Sequence, residues 1–184
     1  MTPSDEHSRP TVIALTGFMA AGKSTVGRAL ASLLKWRFID LDGEIERTSH
    51  RTIREIFEQD DEAGFREVEN DVLQAILHAA NAPTVIALGG GTSVQARNMA
   101  LLQGAGARVV FLELPLDELL QRCRAMGERC VPNPRPLAED EDAFSGLYAQ
   151  RLPHYRKADL VIDAHEKTPD RIAREIAKAL LRPA

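Results

Sequence analysis

The chain has 184 residues, 44% of them hydrophobic and 27% charged, with a net charge of −4. That length and apolar content suit one compact domain with a sizeable core. The acidic balance argues against a broad nucleic-acid or anionic-membrane surface. No apolar run approaches the ~20 residues of a membrane span.

Met1 to Pro10 is polar, of mixed charge and without the apolar centre of a secretory signal. It reads as a disordered tail, residues 1–10, ahead of a single domain over residues 11–184. A cytoplasmic protein is expected. The two cysteines, Cys123 and Cys130, fit no metal or redox spacing and are expected as reduced thiols.

Thr11 to Thr16 is an apolar run without alternation, so a strand covered on both faces is predicted. Gly22 to Leu34 follows as a helix. Arg37 to Asp40 is a short second strand ending in an acid. Leu41 to Glu46 and Thr52 to Phe57 read as two short helices, and Glu62 to Ala80 as a longer one broken by Pro83.

Thr84 to Leu88 is the third strand, stopped by Gly89-Gly90-Gly91. Val94 to Gln103 is a helix, Arg108 to Glu113 the fourth strand, and Leu116 to Met126 a helix with acids in its first turn. Gly127 to Glu139 carries Pro132, Pro134 and Pro136 with Arg129 and Arg135, and fits neither period. Asp140 to Tyr155 reads as helical up to Pro153. Asp159 to Asp163 is the fifth strand, and Thr168-Pro169-Asp170 opens a last helix to Leu181. The alternation predicts an α/β fold, a parallel sheet with helices on both faces and a ligand crevice at the strands' carboxyl ends.

Gly17-Phe18-Met19-Ala20-Ala21-Gly22-Lys23-Ser24-Thr25 fits G-x-x-x-x-G-K-[ST], between a predicted strand and a predicted helix. In that setting Gly17 and Gly22 let successive N–H groups turn toward one anion, and the helix dipole adds to it. Lys23 reaches the β- and γ-phosphates and Ser24 holds Mg²⁺. Ala20, Ala21 and Thr25 complete the nucleotide-binding loop, Thr25 being the weakest member. An ordinary strand-to-helix turn would need neither the lysine nor both glycines.

Asp40 and Asp42 stand at the end of the second strand. One can hold Mg²⁺ through water and the other can orient an acceptor hydroxyl; alone, they equally fit solvated loop acids. The third strand lacks the terminal acid that many phosphate-loop proteins use for metal, which leaves Asp40 for that position. Gly89, Gly90 and Gly91 suit close backbone approach to a ligand or a plain turn. Arg66 with Glu69 reads as a surface ion pair or as half of a carboxylate clamp with Arg151. Arg135 fits a lid that closes over phosphates.

Together these pieces resemble the shikimate kinases, small phosphate-loop enzymes that phosphorylate the 3-hydroxyl of shikimate with ATP and Mg²⁺. The likeness runs from about Val12 to Leu181. It rests on the phosphate loop, Phe-Ile-Asp-Leu-Asp, Ile-Phe followed by Gly-Phe-Arg-Glu-Val-Glu, Leu-Gly-Gly-Gly, Arg-Pro-Leu and Arg-Leu-Pro-His-Tyr. The resemblance implies a three-layer fold with a five-stranded parallel sheet in the order 2-3-1-4-5. It also implies a helical substrate-binding segment near residues 42–70 and a lid near 123–139.

By the same resemblance, Asp42 binds the shikimate hydroxyls and serves as the base, and Arg66 and Arg151 hold the carboxylate, with Glu69 fixing Arg66. Gly89 to Gly91 supply N–H groups to the substrate, Asp40 holds a magnesium-bound water, and Arg135 contacts the transferring phosphate. Arg122 stacks on adenine. The adenine loop, His165 to Pro169, has Lys167 where an arginine is frequent. A monomer taking a small-molecule substrate, without nucleic acid or membrane, is implied. Two alternatives stay open: a gluconate kinase-like enzyme, and a catalytically silent nucleotide-binding relative.

Overall fold

Val12–Thr16 forms β1, and every residue in it is buried. In a strand, successive side chains face opposite ways. Ile13 and Leu15 therefore enter one apolar cluster, with Val26, Leu119, Phe144 and Ile176. Val12 and Ala14 enter a second, with Ile45, Phe65, Leu73 and Leu102. A central strand apolar on both faces needs a helical layer on each side, and burying each of these side chains contributes ~1.5–3 kcal/mol.

The structure is a computed structural model that describes residues 10–127 and 140–181. The elements follow as α1 (Lys23–Leu34), β2 (Arg37–Asp40), α2 (Leu41–Ser49), α3 (Ile53–Ala79), β3 (Thr84–Ala87) and α4 (Ala96–Gly104). After them come β4 (Arg108–Glu113), α5 (Leu116–Met126), α6 (Glu141–Tyr155), β5 (Leu160–Asp163) and α7 (Pro169–Leu181). The sheet order is β2-β3-β1-β4-β5, and every pairing is parallel. The first cluster joins α1, α5, α6 and α7 to one face. The second joins α2, α3 and α4 to the other.

Asp40 pairs with Ala87, and Leu15 also pairs with Ala87. The register therefore puts the carboxyl ends of β2, β3 and β1 side by side. Three loops leave that edge together: the start of α2, the triple glycine and the phosphate loop.

Some element boundaries differ from those predicted. The helices expected at Thr52–Phe57 and Glu62–Ala80 are both present as the two halves of α3, with a kink between them at the non-helical Asp61 (φ 58°, ψ −169°). The Asp61 carboxylate accepts from the N–H groups of Ala63 (2.7 Å) and Gly64 (3.2 Å), so it starts the second half as a cap would. The helix expected from Val94 begins at Ala96, after a short 3-10 turn at Thr92–Val94. α6 runs past Pro153 to Tyr155. A proline so near the end removes one donor only, and the fully buried Tyr155, stacked on Phe111, holds the last turn. Thr168 does cap α7, accepting from Arg171 N at 3.3 Å.

Cys123 corrects the expectation of reduced thiols: it is fully buried and disulfide-bonded. Its spacing from Cys130 carries no pairing signal, and Cys130 lies outside the described residues. So do residues 1–9 of the expected tail, and residues 128–139 of the expected lid with Arg135.

Candidate functional site

The phosphate loop is held open by its own backbone. At Gly17 (φ +149°) a Cβ would stand 3.0 Å from Leu112 O, and Gly22 (φ +84°) caps α1 in the left-handed region. Phe18 is buried, with its ring edge-on to Phe144 and Tyr148, so an apolar residue of the loop anchors it to α6. Ala20 adopts a positive φ and Ala21 is buried, which leaves the turn to backbone groups. Thr25 is exposed on the first turn of α1.

Lys23 Nζ donates to Gly17 O (3.0 Å) and Phe18 O (2.8 Å), curling over the loop. Burial pulls its ammonium from the ordinary 10.5 down to about 8, against the raising fields of Asp42 and Asp40. Ser24 Oγ donates to Asp40 Oδ2 at 2.5 Å. Hydroxyl and carboxylate oxygen are hard donors of the kind magnesium takes, and they sit together beside the loop. The donor set fits the ion: Ser24 would bind it directly and Asp40 through water.

Three functional side chains meet three consecutive glycines. A Cβ at Gly89 would lie 2.8 Å from Asp42 Oδ1; at Gly90, 3.7 Å from Arg151 Nη1; at Gly91, 2.5 Å from Arg66 Nη2. Asp42, Arg151 and Arg66 come from α2, α6 and α3. At Gly89 and Gly91 a side chain would collide with the approaching group, whereas at Gly90 a Cβ would make an ordinary contact. Burial pushes the Asp42 carboxyl from 3.8 up to about 6; Lys23 opposes the rise, and the charges of Asp40, Glu69 and Glu46 add to it.

Each arginine is oriented. Arg66 Nη1 donates to both oxygens of the buried Glu69, at 3.2 and 3.1 Å, and Nη2 donates to Glu62 at 3.2 Å. Its Nε is buried with no hydrogen-bond partner among the described residues. A buried donor left without a partner favours an incoming acceptor, and a carboxylate is the acceptor that suits a guanidinium. Arg151 Nη1 donates to Gly90 O at 3.4 Å, and its guanidinium lies 5.9 Å from the centre of the Phe18 ring.

At the nucleotide end, Arg122 Nη1 would stand 3.8 Å from a Cβ on Gly22, so it lies against the phosphate loop. Glu118 holds Arg122 at 2.5 Å and His165 at 2.6 Å, joining α5 to the loop after β5. That hydrogen bond raises the His165 pKa above 6.5. Lys167 is engaged with Glu175 of α7 at 2.9 Å.

Five site-building residues escaped the sequence reading. Thr92 Oγ1 donates to Glu69 (2.7 Å), and Asn98 donates to Glu69 (3.2 Å) and to Thr92 O (3.1 Å). Thr16 and Ser93 hydroxyls share a 2.6 Å bond that ties β1 to the turn after the glycines. The Tyr155 hydroxyl donates to Gly90 O. The one available signal was polar residues directly after a glycine run; partners up to 77 positions apart leave no periodicity to read.

A parallel sheet with a phosphate loop at its switch point, opposed by carboxylates and guanidinium groups, defines the small phosphate-loop kinases. The family model for shikimate kinase matches residues 19–181. A shikimate kinase of Persephonella marina is 35% identical over 164 residues, covering 89% of this chain and 95% of that protein. The solved shikimate kinase of Acinetobacter baumannii, in complex with shikimate, superposes with a TM-score of 0.82 at 36% identity, over 95% of this chain and 94% of that one. The chain belongs to the shikimate kinase family. A gluconokinase of Sinorhizobium meliloti, with a TM-score of 0.58 at 18% identity over 93% of this chain and 91% of that one, shares the fold alone.

Proposed function

We infer that this chain transfers the γ-phosphoryl group of ATP to the 3-hydroxyl of shikimate, with Mg²⁺. The observation that carries the reading is Asp42, Arg151 and Arg66 converging on Gly89, Gly90 and Gly91 beside the phosphate loop. Lys23 and the loop N–H groups bind the β- and γ-phosphates. Ser24 and a water on Asp40 would hold magnesium, which would supply neutralising charge to the phosphate oxygens. Arg66 and Arg151 bind the shikimate carboxylate from two sides and fix the ring. Asp42 accepts a hydrogen bond from the acceptor hydroxyl and takes its proton as the O–P bond forms. Positioning and charge neutralisation dominate such transfers, so a carboxylate near 6 suffices as the acceptor.

The segment 42–70 carries Asp42 and Arg66 and is the substrate-binding part; the role of Arg135 on the transferring phosphate rests on family likeness alone. Arg122 and the loop holding Lys167 receive the adenine. We propose a monomer, working in the cytoplasm where ATP is supplied.

Coupled ADP release with shikimate and gluconate side by side tests the reading. Shikimate-dependent turnover of ~1–100 s⁻¹ is expected, as for kinases generally. Turnover with gluconate alone would move the chain to another substrate class. Mg-ATP binding without turnover on either would make it a silent relative.

A further inference from the structure

We propose that Asn98 is a positioning residue for shikimate binding, its single side-chain amide locking the carboxylate that aims Arg66 to the turn that follows the three glycines. The proposal rests on the reading of shikimate as substrate and adds a residue in contact with neither substrate nor nucleotide.

Asn98 lies in the first turn of α4 and is fully buried. Its Nδ2 donates to Glu69 Oε2 on α3 (3.2 Å) and to Thr92 O in the glycine turn (3.1 Å). Its Oδ1 accepts from Asn70 Nδ2 at 2.7 Å. An amide nitrogen has two protons and both are used, while the oxygen's partner fixes which way the group faces. Aspartate, serine and leucine could not supply two donors from one point.

Glu69 is fully buried, so every acceptor on it must be met. Arg66, Thr92 Oγ1 and Asn98 meet them. Remove Asn98 and Glu69 keeps its cation but loses its tether to α4. The Thr92 carbonyl loses its side-chain donor at the same moment and keeps only the Gln95 N–H at 3.3 Å. Arg66 and the glycine turn, which sit against each other at Gly91, then lose one of the two contacts that hold Glu69 in register with the turn, the Thr92 hydroxyl being the other. Lys23 and the phosphate loop share no hydrogen bond with Asn98.

Kinetics of the full chain with shikimate and ATP varied separately test this. Asn98→Ala should raise KM for shikimate about tenfold, the scale of one buried acceptor left unmet. KM for ATP should stay within about twofold and kcat should fall less than KM rises. Asn70→Ala, at a half-buried position, should shift shikimate KM the same way by about threefold; it decides the matter if Asn98→Ala does not fold. An unchanged shikimate KM in the variants, with or without a lower Tm, overturns the proposal, as does a parallel rise in KM for ATP. Wild-type chain that ignores shikimate would instead overturn the substrate reading itself, so the two failures are told apart.

Discussion

Asp42 holds its proton more tightly in the folded chain than in the unfolded one, about 6 against 3.8. Stability therefore falls as pH rises from about 4 to about 6 and stays lower above it. The ionised carboxylate destabilises the fold by up to ~3 kcal/mol. On the proposed mechanism catalysis needs that form, so stability and activity oppose each other at one atom. Asp42→Asn should lower kcat by ~10²–10⁴, leave ATP binding nearly intact and raise Tm at pH 7.5. A variant that keeps turnover would show that the carboxyl is not the proton acceptor, and one that melts lower would show that it is not strained by burial. Lys23 titrates on the other side, near 8. kcat/KM with both substrates subsaturating should thus rise through about pH 6 and fall through about pH 8. In kcat, with phosphates beside the ammonium, the upper limb should move to higher pH. Asp42 was legible because an acid two residues past a strand-ending acid is a local pattern. Asn98 was not, because its role lies in atoms contributed by α3 and by the glycine turn.

Among the elements, the glycine turn after β3 shows what a local pattern can and cannot say. Three glycines after a buried strand announce a close approach, and either a ligand or a side chain could be what approaches. Here side chains already occupy the space: a Cβ at Gly91 would stand 2.5 to 2.9 Å from three atoms of the Arg66 guanidinium. Glu69 and Glu62 restrain that guanidinium, so it cannot simply swing clear. Gly91→Ala should therefore displace Arg66 and raise KM for shikimate by tenfold or more, about the effect of one lost charged hydrogen bond. KM for ATP should hardly change; equal losses for both substrates would mean that the whole turn had collapsed. The helices were readable from apolar spacing, and the sheet from strands without alternation. The break between the two halves of α3 was readable too; the cap that the Asp61 carboxylate puts on the second half was not, because it depends on the backbone angles at Asp61 rather than on residue spacing.

For the whole molecule, strand order decides which loops become neighbours, and that order came from family likeness rather than from periodicity. With β3 between β2 and β1, the acid-bearing start of α2 and the phosphate loop flank the glycines. On the proposed reading the sheet separates two binding tasks. α2, α3, the glycine turn and Arg151 of α6 would present the groups for the hydroxylated acid; α1, α5 and the loop before α7 would present those for the nucleotide. Ligands that bind only the folded chain raise its stability by RT ln(1 + [L]/Kd), ~2.7 kcal/mol at about a hundred times Kd. If the two tasks are separate, each ligand alone should raise Tm. Arg66→Ala should remove most of the rise given by shikimate and leave the rise given by Mg-ATP in place. Lys23→Ala should do the reverse. Among the described residues Arg66 hydrogen-bonds within its own segment, to Glu62 and Glu69, so truncating it breaks no described link to the phosphate loop. Among the same residues Lys23 hydrogen-bonds to Gly17 and Phe18 of its loop, and truncating it breaks no described link to α3. Should Arg66→Ala abolish both rises in Tm, the two halves would be one cooperative unit, and the division of labour drawn from the sheet order would be wrong.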